Sequence, residues 1–215
     1  MISPLGMHMK SFLLIASLLT TSAFAATPNL VVNGSFESTQ VNSGSYMYTT
    51  AIEGWSQLAA SGDRFEIRNH KVGNAQDGKN FIELDSTGNT TIGQSFADLA
   101  AGAGYALSFW YAPRAGVAAS SNGIEVLWNG QQLAGTITAD GGTAPTWTQY
   151  SFNVTALSGA NTLSFRSVGT NDSLGGALDN VSLTAAAPVP EPGSYALLLA
   201  GLGAMGMIAR RRSAR

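Results

Sequence analysis

Seven side chains in the middle of the chain have the chemistry that sugar recognition requires. An aromatic ring can stack on the apolar C–H face of a pyranose, and planar polar groups can pair with its hydroxyls. Strand alternation places Trp110 opposite the presumed core face of its segment. The candidate sugar-binding residues are Trp110, Arg114, Phe81, Glu83, Asp85, Arg68 and Trp55. For each tryptophan, burial in the core is the open alternative, and Trp128 is predicted to be core.

Catalysis has much less support from the residue pattern. His70 lies in a polar loop, and no serine stands in the context of a known nucleophile motif. A zinc site usually needs several His or Cys ligands. Glu83 and Asp85 lie two residues apart on one extended segment, so they face the same way rather than flanking a cleft as glycosidase carboxylates do. The sequence therefore predicts a protein that is not an enzyme.

The N-terminus has the features of a secretory signal. Lys10 precedes an apolar stretch over residues 11–20, and Ala23-Phe24-Ala25 offers the small–x–small pattern that signal peptidase accepts. We predict a signal peptide over residues 1–25, with translation starting at Met1 or Met9.

The C-terminus combines three ordered elements. A proline-rich segment is followed by an uncharged apolar stretch and then by consecutive arginines, at Val189, Pro190, Glu191, Pro192, Arg210, Arg211 and Arg212. About 16 residues in helical form reach about 25 Å, the short end of a bilayer span. Arginines beside a span stay on the cytoplasmic side, which would leave the rest of the chain outside. We therefore predict a transmembrane helix over about residues 193–209 and a basic tail over 210–215.

This ending resembles the PEP-CTERM sorting signal of Gram-negative bacteria, here assigned to residues 188–215. The resemblance implies export through the inner membrane and an exosortase-type membrane protease that cleaves near residues 189–192. It also implies association with extracellular polysaccharide at the cell surface or in the matrix. A helix that is kept as a permanent anchor is the alternative to a helix that is cut off.

The composition of the body between the two ends limits the partners and the stabilising elements that it can have. Residues 26–187 keep six of the eleven Lys and Arg and twelve of the thirteen Asp and Glu, a formal charge of −6. An acidic body without a basic cluster argues against nucleic acid as a partner. The chain has no cysteine, so an exported domain must be held by its core or by a metal.

The body has the two-residue period of β-strands. Nine short segments rich in β-branched and aromatic residues alternate with turn signals, which is typical of a β-sandwich or jelly roll. The predicted strands cover residues 29–32, 65–68, 80–85, 91–96, 105–114, 123–128, 146–154, 162–168 and 177–184. Asn129-Gly130 predicts a two-residue hairpin turn, since both positions tolerate positive φ.

The ordered series NLVVNGSFE, GW, DGKNFIELD, YALSFWYAPR, WTQYSFNV and LDNVSL resembles the galactose-binding-like jelly roll of many carbohydrate-binding modules. The resemblance implies a structural calcium ion bound by an early Glu and a late Asp, here Glu37 and Asp179. On an extended strand Asn33 and Ser35 would face the same way as Glu37 and could add oxygen ligands. The alternative is that both carboxylates cap loop amides.

Together these features predict an exported, non-catalytic protein that associates with extracellular polysaccharide. A structural matrix or adhesion protein without specific sugar affinity is the main alternative, and a glycan-active enzyme is the weaker one.

Overall fold

The computed structural model describes residues 27–60, 64–186 and 192–213. The predicted signal peptide, three residues of the sorting motif (Val189, Pro190 and Glu191) and the last two residues lie outside the described part. Two sheets and one helix form from these residues. The strands are β1 (Ser45–Thr49), β2 (Ser56–Ala60), β3 (Phe65–Asn69), β4 (Asn80–Glu83), β5 (Thr90–Phe96), β6 (Gly104–Ala112), β7 (Gly123–Trp128), β8 (Gln131–Gln132), β9 (Thr148–Thr155), β10 (Asn161–Val168) and β11 (Ala177–Ala185).

The two sheets are antiparallel and form a sandwich. One has six strands in the order β1-β3-β4-β11-β6-β9, and the other has five in the order β2-β5-β10-β7-β8. The predicted all-β sandwich is therefore confirmed. The predicted hairpin is also present, because Asn129 and Gly130 have φ of 51° and 78° and join β7 to β8.

The core lies between the sheets and is built by alternation along each strand. In β6, Tyr105, Leu107, Phe109 and Tyr111 are buried, while Ser108 and Trp110 are half-buried on the opposite face. Phe109 packs edge-on against Phe165 of β10, with ring centroids 4.9 Å apart. Complete burial of a side chain of this size contributes about 1.5–3 kcal/mol. Trp128 lies in this core, as predicted.

The N-terminal segment differs from the prediction. Residues 31–35 form a bend and turns rather than a strand, and φ is positive at Asn33 and Phe36. The Asn29 side chain explains the difference, because its Oδ1 accepts hydrogen bonds from the Val31 and Leu183 amides. The bond to Val31 is local, and bonds of that kind compete with strand pairing. The predicted alignment of Asn33, Ser35 and Glu37 on one strand face is therefore wrong.

The C-terminal helix, α1 (Pro192–Ser213), is present where the sequence predicts one. It begins at a proline, which suits the first helical position because that position needs no amide donor. Across the residues that the structure describes, no helix combines the length and apolar character needed to cross a membrane. Four glycines, four alanines and three arginines occupy half of the 22 positions of α1 and lower its apolar character. The predicted transmembrane segment over residues 193–209 is thus not supported.

Candidate functional site

The outer face of the six-stranded sheet carries two rows of polar and aromatic residues. Strands β1, β3 and β4 are neighbours, and their register places side chains of equal parity side by side. The first row is Tyr46, Arg68 and Phe81, and the second is Tyr48, Glu66 and Glu83. These rows face away from the core, yet four of the six residues are buried because loops cover them.

A charge cluster joins these rows. The Arg68 Nε atom donates to Glu66 Oε1 at 2.7 Å, and Arg68 Nη2 pairs with Glu83 Oε2. Arg114, which follows β6, donates through Nη1 to both oxygens of Glu83, at 2.9 and 3.0 Å. The side chains of Glu66, Arg68 and Glu83 are at most 5% exposed. Because removing charges from water is costly, a buried cluster of this kind gives little net stability.

Burial also changes the acidity of the central carboxyl group. Desolvation raises the pKa of Glu83 to about 7, against the lowering effect of Arg68 and Arg114. The Gly175 amide donates to Glu83 Oε1 at 2.7 Å and lowers the pKa further. Burial of Glu83 therefore disfavours its charged form, and the two arginines oppose that effect.

A cleft of about 140 Å³ opens above the cluster. Its walls are formed by Tyr46, Tyr48, Glu66, Arg68, Lys71, Val72, Arg114 and Ser173. Tyr46 and Tyr48 are 45% and 39% exposed, and their rings meet edge to face with centroids 5.4 Å apart. Partial burial, together with the nearby Glu66 carboxylate, raises the pKa of Tyr48. The cleft thus offers fixed aromatic faces beside charged groups.

Cationic groups at the cleft retain hydrogen-bonding capacity. Arg114 uses Nη1 alone for Glu83 and for the Ser173 carbonyl oxygen, so Nε and Nη2 have no partner within the described residues. The exposed Lys71 side chain likewise makes no hydrogen bond or ion pair with any described residue. The carboxylates of Glu66 and Glu83, in contrast, are already paired with arginines. The donors left for a ligand are therefore mainly cationic.

Two residues in the cleft wall have strained backbones. Val72 and Ser173 both have φ of 61°, in the left-handed region that non-glycine residues rarely adopt. For a β-branched residue such as Val72 the conformation is especially costly, because its side chain crowds the backbone. Strain of this kind clusters at ligand-binding sites, where the surrounding structure maintains it. Two of the seven non-glycine residues with positive φ in the described part of the chain therefore lie in the cleft wall.

The structure brings together three of the seven predicted sugar-binding residues, namely Arg68, Glu83 and Arg114. Trp110 is half-buried on β6 and does not line the cleft. Trp55 is a correction, because it is 4% exposed and packs in the core against Phe36 and Phe165. A ring enclosed in this way cannot stack on a sugar.

Phe81 and Asp85 are also corrections to the predicted groove. Phe81 is buried beneath Trp147, whose ring meets it edge to face at 5.7 Å. The indole of Trp147 donates to the Asn74 carbonyl oxygen and so fixes the loop after β3 over this part of the sheet. Asp85 is fully buried, and its Oδ2 accepts the Asp172 amide at 3.1 Å. Desolvation raises the pKa of Asp85, which serves as a loop acceptor.

The sequence analysis missed Tyr46 and Tyr48. Their strand, SYMYT, follows the turn residue Gly44 and alternates aromatic residues with Met47. That alternation is a strand signal, and two exposed tyrosines on the same face are a sugar-binding signal.

Three of the four predicted calcium ligands, but not Asn33, contact the loop between β3 and β4. Glu37 Oε1 accepts the Lys79 and Asn80 amides at 2.7 and 2.6 Å, and Asp179 Oδ2 accepts the Gln76 and Asp77 amides at 2.7 and 2.9 Å. The two carboxylates therefore hold residues 76–80 from both sides, as the alternative interpretation expects.

The remaining ligands fit calcium less well. The Ser35 hydroxyl donates to Asp77 at 2.7 Å, but the Asn33 side chain binds Ser38 and the Glu53 carbonyl oxygen instead. In residues 27–60, 64–186 and 192–213, no three His, Cys, Asp or Glu side chains lie close enough to hold a metal together. Burial raises the pKa of Asp179 to about 7, which a bound cation would oppose. Calcium binding stays a prediction.

Comparison with known proteins gives matches at both the body and the C-terminus. The chain is 35% identical over 154 residues to a multifunctional-autoprocessing repeats-in-toxin protein of Vibrio vulnificus, covering 72% of this chain. It is 37% identical over 157 residues to the protein of the same name from Vibrio cholerae, covering 73% of this chain. In both cases it spans about 3% of the relative's length.

Several solved structures are similar in fold. They include a family 61 carbohydrate-binding module in complex with beta-1,4-galactotriose (TM-score 0.49, 14% identity, 74% of this chain and 100% of that one). The K1 cleaved adhesin domain of Lys-gingipain from Porphyromonas gingivalis W83 has a TM-score of 0.48 at 19% identity, over 67% of this chain and 100% of that one. A family 35 module from Paenibacillus barcinonensis has a TM-score of 0.42 at 17% identity, over 66% and 100%.

The C-terminal match is to a short sorting signal. The model of the PEP-CTERM protein-sorting motif matches residues 188–213, so the resemblance noted in the sequence is confirmed. This motif indicates a protein that is exported and sorted to the cell surface.

Proposed function

We propose that this protein is processed by an exosortase-type system and binds acidic polysaccharide outside the cell through the cleft formed by Tyr46, Tyr48, Arg68, Lys71 and Arg114. The sorting motif at residues 188–213 supports the export route. Signal peptidase would remove residues 1–25 on the same route. The protein acts by binding and does not catalyse a reaction.

The observation that carries this proposal is the exposed tyrosine pair beside a cationic cluster. Tyr46 and Tyr48 present ring faces at 45% and 39% exposure, which suits stacking on the C–H face of a sugar ring. Rings fixed on a strand lose little conformational entropy on binding, so their contact area contributes efficiently to affinity. The cleft is short, so it fits one or two sugar units of a longer chain.

The charges favour a sugar that carries a carboxylate. Arg114 keeps Nε and Nη2 free within the described residues, and a guanidinium edge binds a carboxylate with two parallel hydrogen bonds. Lys71 adds a mobile positive charge at the same opening. The body as a whole is acidic, so the positive charge is confined to the opening of the cleft. A polyanion would therefore bind at the cleft and would not be attracted to the rest of the surface.

The same geometry supports a binding role without turnover. Glycoside hydrolysis needs two carboxyl groups, one to protonate the leaving oxygen and one to attack or activate water. In this cleft Glu66 is bound by Arg68, and Glu83 is bound by both Arg68 and Arg114. Neither carboxylate is left free to approach a sugar.

Affinity measurements with the full-length protein test the proposal. We expect a polyuronate such as alginate to bind and a neutral glucan such as dextran to bind at least tenfold more weakly. Tyr48→Ala should lower alginate affinity by roughly tenfold, since aromatic stacking on a ring contributes on the order of 1 kcal/mol or more. Leu157→Ala removes an even more exposed apolar side chain from the loop after β9 and should bind like the wild type.

Two results would contradict the proposal. A folded protein that binds neither polymer would favour the structural matrix alternative, in which the body has no specific sugar affinity. Equal loss of affinity in Tyr48→Ala and Leu157→Ala would show that binding does not use the cleft.

A further inference from the structure

The four edge strands of the two sheets differ in how well they are protected from pairing with another chain. β2 has a register irregularity between Gln57 and Ala59, and β8 has only two residues. β1 has five residues and lies beside the cleft. β9, in contrast, has eight residues (TQYSFNVT), keeps a regular register with β6 throughout, and contains no charged residue and no proline. Short length, bulges, charges and prolines are the features that keep an edge strand from pairing, so β9 is the unprotected edge.

The outer edge of β9 presents backbone donors and acceptors. The Ala156 amide donates to the Ala103 carbonyl oxygen at 3.0 Å, and residues bonded in this way alternate with outward-pointing residues along an antiparallel ladder. The register with β6 therefore turns the amide and carbonyl groups of three residues away from the sheet, namely Gln149, Ser151 and Asn153. These groups make no hydrogen bond with any described residue. The strand thus offers three donors and three acceptors to another chain.

Two aromatic side chains of β9 face the core but are incompletely buried. Tyr150 and Phe152 stack on Phe109 of β6, with ring centroids 5.7 and 6.1 Å away. Phe109 is fully buried, whereas both rings of β9 stay partly exposed. Within the described ranges no strand lies beyond β9 in its sheet, so these rings lack the neighbour that an inner strand has on each side. A further strand beside β9 would cover apolar surface there, which favours its binding.

The sequence of β9 is complementary to itself in the antiparallel direction. When Ser151 lies opposite Ser151 of a second copy, Gln149 lies opposite Asn153 and Tyr150 lies opposite Phe152. The side-chain amides then meet on the outer face of the sheet, and the aromatic rings meet on the inner face. The outward-pointing backbone groups coincide in the same register, so three donors from each of two copies give six hydrogen bonds. The strand carries no charge, so no like charges oppose each other.

We infer that two copies of this protein bind each other through β9 and so form one continuous antiparallel sheet of twelve strands. A two-fold axis passes between the two Ser151 residues, and both copies use the same surface, as in most dimers of identical chains. A second copy satisfies the backbone groups, the amide side chains and the aromatic rings of β9 in a single register. This dimer goes beyond the proposed sugar binding and does not depend on it.

Analytical ultracentrifugation of the full-length protein tests the inference, in a mild detergent that covers the exposed apolar side chains of α1. We expect a monomer–dimer equilibrium between about 10 µM and 1 mM, because an interface one strand wide is small. Ser151→Lys places two like charges opposite each other on the two-fold axis and should weaken the dimer at least threefold. The control is Ser95→Lys, the same change at an exposed position of β5, which lies between two strands and should dimerise normally.

A mixture of two variants tests the register itself. Ser151→Lys and Ser151→Glu should each dimerise weakly alone, but together they should form a heterodimer that is more stable than either homodimer, because opposite charges then face each other. A wild type that stays monomeric throughout this concentration range would overturn the inference. Equal association of Ser151→Lys and Ser95→Lys, or a mixture without preference for the heterodimer, would also overturn it. No sugar is present in these measurements, so such a failure leaves the proposed cleft untouched.

Discussion

The outer faces of the two sheets differ in how far their charged side chains are exposed to solvent. On the six-stranded sheet, Arg68 lies between Glu66 and Glu83, and all three are nearly excluded from water. On the five-stranded sheet, Arg166 of β10 pairs with Glu125 of β7 across the strands, and the Arg166 side chain is 48% exposed. Solvent screens the Arg166–Glu125 pair, so this pair contributes almost nothing to the free energy of unfolding. Burial of the Arg68 cluster, in contrast, carries a desolvation cost. The buried cluster is the part of the molecule on which the proposed binding cleft depends.

Removing the central cation of each face gives the largest expected contrast. Arg68→Ala leaves Glu66 and Glu83 buried without their shared partner and should lower the free energy of unfolding by about 3–5 kcal/mol. Arg166→Ala breaks an exposed pair and should lower it by about 0–1 kcal/mol. Urea denaturation of both variants measures the difference. Equal losses would contradict the view that the two faces differ in kind.

Calcium removal tests the loop between β3 and β4, which Glu37 and Asp179 hold. If calcium binds there, saturation at a hundred times the dissociation constant adds about 2.7 kcal/mol of stability. EDTA should then lower the melting temperature by several degrees, and added calcium should restore it. Asp179→Asn should abolish this response, while Asp140→Asn, in the loop between β8 and β9, should retain it. An unchanged melting temperature in EDTA would leave the carboxylates as amide acceptors alone.

The pH dependence of stability tests the burial of Glu83. Its pKa is about 7 in the folded protein against an ordinary value of 4.5, so the folded state binds more protons between these pH values. Stability from this group is therefore full below pH 4.5 and is lost as the pH rises through 7. Asp179 has a pKa raised in the same direction, so Glu83→Gln should flatten the slope without removing it. A wild-type slope in that variant would contradict the assignment.

The smallest expected effect concerns backbone strain at Val72. Glycine adopts positive φ freely, whereas alanine does not, so Val72→Gly should be more stable than Val72→Ala by roughly 1 kcal/mol. Both variants remove the two γ-methyl groups of Val72 and differ only in the Cβ atom, which makes each the control for the other. Thermal denaturation compares them, and a more stable alanine variant would show that Val72 is not strained.

Most of the sandwich could be predicted from the sequence, because its central strands alternate clearly. Eight of the nine predicted strands correspond to observed ones. The two long strands that were missed, β1 and β2, lie at sheet edges, where half of the pairing and much of the burial is absent. The β2 sequence, SQLAA, also lacks β-branched and aromatic residues. A strand of this composition carries little periodic signal, whereas β1 (SYMYT) alternates aromatic residues and could have been recognised.

The site was predicted less completely for a different reason. Alternation correctly placed Glu83 on the outer face, but parity does not show which outer residues a loop covers. The loop after β3, fixed by Trp147, buries Phe81, and the loop before β11 buries Asp85. The N-terminal segment pairs with β11 at Leu30 and Gly34, but the Asn29 side chain takes the Leu183 amide, and the continuous strand on which the calcium geometry depended does not form. Both failures come from long-range contacts that a local pattern does not contain.

The most direct test of the cleft is a calorimetric titration of alginate into the full-length wild type, Lys71→Ala and Arg166→Ala. Both variants remove one exposed positive charge, but only Lys71 lines the cleft. We predict that Lys71→Ala weakens binding at least threefold and that Arg166→Ala binds like the wild type. Equal affinity in all three proteins, or equal weakening in both variants, would contradict recognition of acidic sugar in the cleft.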